Sequence, residues 1–414
     1  MSLQPSSVFS SSHAAIAVVK NGSVTSPKGF RAAGIAAGIK KSRGKDMALV
    51  ASDVPAEVAA VFTTNQIKAA PVKVSMQHAR SGKVRAVIAN SGGANACTGI
   101  AGLRDAKEMT EVAAKALGCK GKEVLVCSTG RIGVLLPMPT VRRGIRSAVE
   151  KLDADGGAKA AEAIMTTDTF AKSCAVKFEI DGRPVVIGGI AKGAGMIHPD
   201  MATMLCFVTT DALVDRAVLR RAVEECVGKS FNSISVDGDT STNDTVVVLA
   251  NGQAGNPRLG AGHLQLPVFQ QALCQVMRHL SRLIVEDGEG ITKVVEIVVK
   301  GAATRRDAKL AALAVGNSTL VKCSWCGNDP NWGRIMDALG YSQAKVREEL
   351  VEIFYNGVQV TVNGLRSGVS EARIRKVVAK SRFVITLHLH LGQGEYTFLT
   401  TDLSEEYVTL NKGE

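Results

Sequence analysis

Lys192-Gly193-Ala194-Gly195-Met196-Ile197-His198-Pro199-Asp200-Met201-Ala202-Thr203-Met204-Leu205 sets a loop broken by glycine and proline directly against an apolar run, with Thr203 at the join. A threonine hydroxyl is a poor nucleophile at neutral pH, and a neighbouring amine that takes its proton is one of the few devices that activates it. Cleavage of Ala202-Thr203 would supply that amine. The stretch therefore predicts a chain cut inside a folded body, with Thr203 as the new terminus.

On the C-terminal side, Met204 to Thr209 reads as a buried strand, Asp215 to Val227 as an amphipathic helix and Thr245 to Leu249 as another strand. Gln265 to Val285 carries helical spacing, Val294 to Gly301 reads as a strand, and Phe383 to Leu389 alternates as a strand does. On the N-terminal side, Ala48 to Ser52, Ala59 to Phe62 and Arg85 to Asn90 are short apolar runs closed by turn residues. Asp105 to Leu117, Val141 to Leu152 and Ala158 to Ile164 repeat at helical spacing, the first stopping at Gly118. Strands alternating with helices predict an α/β (α+β) architecture. No flexible linker surrounds residue 203, so both fragments are expected to share one folded body. The expected division is residues 1–23 as a tail, 24–202 as an α chain and 203–414 as a β chain.

The composition agrees with a compact enzyme. The chain has 414 residues, 46% hydrophobic but only 4% aromatic, with 41 scattered glycines and 11 prolines, which fits an aliphatic core joined by tight turns. A net charge of +12 leaves an acidic partner open. The charge is spread, however, and the densest basic run, Lys40 to Lys45, holds no aromatic residue and reads as a solvated loop, so no nucleic-acid partner is expected. Nine cysteines, an odd number in apolar contexts, predict reduced thiols. Cys323-Ser324-Trp325-Cys326 lacks the second pair a zinc site needs, and no metal is expected. No membrane span is expected either, because no run of apolar residues is long enough. The first twelve residues contain six serines, and no acid precedes Asp46, which suits either an organelle (plastid or mitochondrion) transit segment or a plain tail of a cytoplasmic protein.

Four polar loops stand against apolar strands, where functional groups gather. Asn90 to Gly99 has small side chains that let backbone amides approach a ligand, without phosphate-loop spacing; a tight structural turn is the other reading. Thr129 and Gly130 end a strand and offer a hydroxyl beside a flexible N–H, as an oxyanion hole does; the alternative is a threonine capping a helix. Phe231 to Asp244 lacks the continuation of a calcium loop and reads as a buried hydrogen-bonded turn next to a site. Glu286-Asp287-Gly288-Glu289-Gly290 puts carboxylates where they oppose the helix dipole, which suits binding of a substrate ammonium or a solvated acidic turn. His198 has no patterned acid partner for a triad, and an amine base needs no histidine.

In this order, Thr129-Gly130, Lys192 to Gly195, Ala202 to Leu205, Asp237 to Asp244, Glu286 to Gly290 and Asp329-Pro330-Asn331-Trp332-Gly333-Arg334 resemble the ornithine acetyltransferase family of arginine biosynthesis. The resemblance runs from about Val24 to Asn411. It implies a layered α/β sandwich similar to N-terminal-nucleophile hydrolases, cut at Ala202-Thr203 and assembled as α2β2. It further implies that Thr203 takes an acetyl group from N-acetylornithine and passes it to glutamate, without a cofactor and with acetyl-CoA as a second donor left open. Thr129 and Gly130 would hold the oxyanion; Thr166, Lys192, Thr203, Glu289 and Asn411 would contact substrate. Lys192 would face a carboxylate and Glu289 the ornithine ammonium.

Three positions depart from the family pattern. Gly93 stands where Asn is common, Arg131 where a small apolar residue is usual, and Asn411-Lys412-Gly413-Glu414 replaces a tail ending in a substrate-touching Thr or Ser. Two other functions fit parts of the sequence: an aminopeptidase or amidase passing the acyl group to water, and a basic scaffold in which the loops are purely structural.

Overall fold

The computed structural model describes residues 16–198 and 204–412. Ala202 and Thr203 lie outside the described residues, as does most of the serine-rich N-terminus. Nine strands form the first sheet: β1 (Ala17–Val18), β2 (Phe30–Ile35), β3 (Met47–Phe62), β4 (Lys83–Ser91), β5 (Val124–Thr129), β6 (Lys172–Ile180), β7 (Arg183–Lys192), β8 (Leu205–Thr210) and β9 (Thr245–Ala250). Their order is β1-β6-β7-β8-β9-β3-β4-β5, with β2 added on β3. The long β3 joins two halves, pairing β2 and β4 through its first part and β9 through its second.

Strand periodicity explains the layering. Helices α1 (Ala70–Ala79), α2 (Gly99–Leu117), α3 (Met138–Glu150) and α4 (Gly157–Ala163) precede α5 (Arg216–Gly228) and α6 (Leu266–Glu286) along the chain. In β8 and β9, Cys206, Val208, Val246 and Val248 face α5 and α6, while Leu205, Phe207, Val247 and Leu249 face the other half-sheet. In that half, Val50 of β3 with Leu125 and Cys127 of β5 turn inward to meet them, over Ala160, Ala161 and Ala163 of one short helix. Leu49, Val124 and Val126 turn outward onto a second helical layer, through Met109, Val141 and Ile145. The result is helix, sheet, sheet, helix, a layered α/β sandwich as the family resemblance implies.

A second sheet follows, ordered β13-β12-β11-β14-β10-β15, from β10 (Val294–Ala302), β11 (Glu352–Tyr355), β12 (Val358–Val362), β13 (Leu365–Arg366), β14 (Arg382–His388) and β15 (Gly394–Thr401). It packs on a helical layer through Ala308, Ala312, Val315 and Trp325. The chain then closes with a six-residue helix, Glu405–Leu410. Among the described residues, no helix is long and apolar enough to cross a membrane.

Two features that bear on the junction differ from, or add to, the sequence reading. The runs Ala48 to Ser52 and Ala59 to Phe62 are one strand, β3, because Asp53 to Glu57 continue the extended backbone between them. β7 and β8, which flank residues 193–204, pair with each other antiparallel from Ile187 and Thr210 to Lys192 and Leu205. A cut at residue 203 would thus separate two hydrogen-bonded neighbours of one sheet.

Two further expectations are corrected. Cys226 and Cys274 form a disulfide across α5 and α6, where the two helices bring their Cα atoms to 4.8 Å, so the cysteines are not all free thiols. Lys40 is not a solvated residue of its basic run. It is half-buried, and its ammonium donates to the carbonyl oxygens of Lys45 (2.8 Å) and Met165 (2.7 Å).

Candidate active site

The last residue of β5 is Thr129, buried, and the last of β7 is Lys192, also buried. β7 reaches β5 across the inter-sheet core, and the Lys192 ammonium donates to the Thr129 hydroxyl oxygen at 3.3 Å. One lone pair of that oxygen is thereby engaged, and the hydroxyl proton is left to donate elsewhere. Gly130 follows at φ +124°, a conformation that favours glycine, and a Cβ there would lie 2.7 Å from the backbone of Gly92 and Gly93. The Asn90 loop provides this backbone wall: Gly93 N–H bonds the Thr129 carbonyl at 3.1 Å, and the Asn90 amide donates to Gly93 O at 2.9 Å. No helix starts at Thr129; the next begins at Met138, so the capping alternative does not apply.

Burial pushes the Lys192 ammonium below its ordinary range, while the charges of Asp168, Asp244 and Glu289 act against that drop. Asp168 is the nearest link to the rest of the site. Its Oδ1 accepts from Gly193 N–H (2.7 Å) and Lys172 Nζ (2.7 Å), and its Oδ2 from Thr166 N–H (2.9 Å). Burial alone would raise this carboxyl, yet Lys192, Lys172 and the Gly193 N–H hold it down at about 2. Lys172 reaches further, to Asp287 Oδ2 at 2.5 Å, and Asp287 also takes the Thr169 N–H. A buried chain of charges thus ties Thr166 and Lys192 to the end of α6.

Two residues beyond Asp287 stands Glu289. Its N–H bonds Ala194 O at 3.0 Å, and its carboxylate accepts from the Asn411 side chain at 2.9 Å. Gly195 lies against this carboxylate so closely that a Cβ there would sit 2.4 Å from its carbon. The carboxylates that oppose the helix dipole are accounted for: Glu286 pairs with Arg282 and Arg382, Asp287 with Lys172, and Glu289 faces Asn411.

The Phe231 to Asp244 segment is the buried hydrogen-bonded turn expected beside a site. Asp237 Oδ1 accepts from Ile197 N–H at 2.8 Å and Asp237 Oδ2 from Met196 N–H at 2.5 Å. Asn243 donates to Ala94 O (2.7 Å) and Ser128 O (2.9 Å), and Asp244 accepts from Met204 N–H (2.8 Å). Both described ends of the loop around the junction are therefore held by one segment.

Lys192 adjoins residues 193–198 and Glu289 bonds Ala194, while Thr129, Asn411 and Thr166 are tied to the same segment through Lys192, Glu289 and Asp168 respectively. Sequence reasoning missed Asp168 and Lys172, and marked Asp287 and Asp244 only as parts of their polar segments, without these partners. Asp168 and Lys172 are four apart but lie in a loop running into a strand, so no helical spacing marks them. A cavity of about 520 Å³ between α6 and the second sheet, lined among others by Arg278, Arg282 and Arg382, contains none of the expected site residues.

Comparison with known proteins places the chain among relatives over nearly its whole length. The model of the ArgJ family matches residues 31–413. An arginine biosynthesis bifunctional protein ArgJ from Symbiobacterium thermophilum is 52% identical over 94% of this chain and 98% of its own. The protein of the same name from Geobacter sulfurreducens is 51% identical over 93% and 98%. The crystal structure of an ornithine acetyltransferase complexed with ornithine, from Mycobacterium tuberculosis, is 45% identical over 45% of this chain and 98% of that one, with a TM-score of 0.42.

Proposed function

The chain belongs to the ArgJ family of arginine-biosynthesis enzymes, and from that premise we propose that it is a self-processing acetyltransferase with Thr203 as its nucleophile. Thr203 Oγ attacks the Ala202 carbonyl, and hydrolysis of the ester leaves two chains, 1–202 and 203–414, held by the β7–β8 pairing. The freed α-amine takes the hydroxyl proton as Thr203 attacks the acetyl group of N-acetylornithine. Ornithine leaves, and the amine of glutamate then removes the acetyl group from threonine.

Each flanking group has a part that its geometry supports. The Thr129 hydroxyl, its oxygen already bonded to Lys192, and the Gly130 N–H face developing negative charge on the acetyl oxygen, a contribution of about 3 kcal/mol per donor. Lys192 offers a positive charge for a substrate carboxylate and Glu289, whose carboxylate Asn411 holds, a negative one for the ornithine ammonium, with Thr166 and Asn411 as further substrate contacts. No cofactor enters this scheme. The bifunctional name of the relatives supports acetyl-CoA as a second acetyl donor, and α2β2 assembly is part of the same proposal.

The observation that carries the reading is the convergence of Thr129, Lys192 and Glu289 on the segment leading to residue 203. Purified protein incubated with N-acetylornithine tests it: without glutamate, ornithine release should stop at about one equivalent per site, and sustained release should require glutamate and yield N-acetylglutamate in equal amount. Release unaffected by glutamate would instead make the enzyme an amidase.

A further inference from the structure

The closing helix, Glu405–Leu410, packs directly on the turn that carries Glu289. A Cβ on Gly290, whose φ is +64°, would sit 2.4 Å from the Tyr407 nitrogen, and the Ser404 hydroxyl donates to Gly290 O. Just past the helix, the Asn411 amide spends both of its hydrogens, one on the Tyr407 carbonyl and one on Glu289 Oε2, each at 2.9 Å. The direction of the Asn411 side chain, and with it the Glu289 carboxylate, therefore follows the placing of Tyr407.

Tyr407 is fixed in turn by Asp237. Its phenol donates to Asp237 Oδ2 at 3.2 Å, and the same carboxylate takes the N–H groups of Met196 (2.5 Å) and Ile197 (2.8 Å). Gly195, the residue before those two, is the one that lies against the Glu289 carboxylate. Asp237 thus joins the loop and the closing helix that both touch Glu289. Burial pushes the Asp237 carboxyl up, and the N–H groups of Met196, Ile197 and Asp239 oppose this. Burial and the neighbouring Asp237 charge push the Tyr407 phenol up, so it keeps its proton and stays a donor near neutral pH.

We propose that Tyr407, held by Asp237, is a positioning residue that sets the preference of the site for a donor with a side-chain ammonium. This rests on the reading of Glu289 as the partner of that ammonium. A glutamate carboxylate hangs on a flexible stem, and ordering it at the moment a cation binds costs affinity. Asn411, aimed by Tyr407, orders it beforehand. The gain belongs to donor recognition, because glutamate, the acceptor, carries no side-chain ammonium.

In a two-step transfer, kcat/KM for the donor and for the acceptor report separate half-reactions, which gives the test its control. Tyr407→Phe removes only the phenol oxygen. Its kcat/KM for N-acetylornithine should fall about tenfold, through KM, while kcat and the kcat/KM for glutamate stay within about threefold of wild type. An equal loss for both substrates, as from a smaller fraction of folded protein, or no loss for the donor, overturns the proposal. Asn411→Ala, an exposed change beyond the last helix, carries the test if Tyr407→Phe does not fold. It should show the same split, and its absence overturns the proposal as well. In the double variant the Tyr407→Phe change should add less than about twofold, and a further tenfold loss would place Tyr407 outside this chain of contacts.

Glu289→Gln separates the two claims. If it leaves kcat/KM for N-acetylornithine unchanged, the ammonium reading and this proposal fall together. If it lowers that value and Tyr407→Phe does not, only the role of Tyr407 falls.

Discussion

One lone pair of the Thr129 hydroxyl is filled by Lys192, which makes the side chain a donor toward any oxygen that approaches it. Thr129→Ala removes that donor without disturbing the β5 backbone. Its kcat should fall by about 10²–10³ with KM less affected, measured by steady-state transfer from N-acetylornithine. Gly195 gives a sharper test of the substrate clamp. Gly195→Ala needs no unusual backbone conformation, but its Cβ would sit 2.4 Å from the Glu289 carboxylate carbon, well inside van der Waals contact. The expected outcome is an unchanged melting temperature and a loss of roughly a hundredfold in kcat/KM for N-acetylornithine, the penalty of a carboxylate displaced by about 1 Å. Thr129 was legible because it ends a strand beside a glycine, and the carboxylates around Glu289 because they stand among glycines just past a helix; Lys192 entered through the family resemblance. Asp168 and Asp244 were not, because their roles depend on partners brought from β6, β7 and β8.

At the scale of elements, the Asp168–Lys172–Asp287 chain fastens the start of β6 to the end of α6. Asp168→Asn leaves two buried lysines short of a counter-charge and should cost about 3 kcal/mol near neutral pH. The pH dependence has a definite sign. The Asp168 carboxyl is depressed to about 2 in the fold, so its contribution is complete above the unfolded value near 4 and disappears as pH falls toward 2. Chemical denaturation of wild type and variant should therefore differ at pH 6 and converge near pH 2; a constant difference would contradict the ion-pair account. Most strands and helices were readable from periodicity, since α5, α6, β8, β9 and β10 fall within a residue or two of expectation. The β6–β7 hairpin was not anticipated, although Val176, Phe178 and Ile180 alternate with exposed Lys177 and Glu179 as a strand does; in β7, Gly188 and Gly189 dilute the strand signal. The Cys226–Cys274 bond was hidden for another reason. Forty-eight residues separate its ends, and only the packing of α5 on α6 brings them together.

For the whole molecule, the layering follows from two-residue alternation, which the apolar runs display, but the crossing of β3 between the two half-sheets leaves no mark in the sequence. That crossing sets β5 opposite β7 and so builds the site. It also means that a cut at residue 203 runs through a continuous sheet, and the fragments should separate only on denaturation. Intact mass and N-terminal sequencing of the purified protein test the central claim most directly, and report any loss of the serine-rich N-terminus as well. The account predicts two chains, one ending at Ala202 and one beginning Thr203-Met204-Leu205, and a single uncut chain in Thr203→Ala. Active protein consisting of one intact 43.4 kDa chain, or a cut that persists in Thr203→Ala, would contradict it.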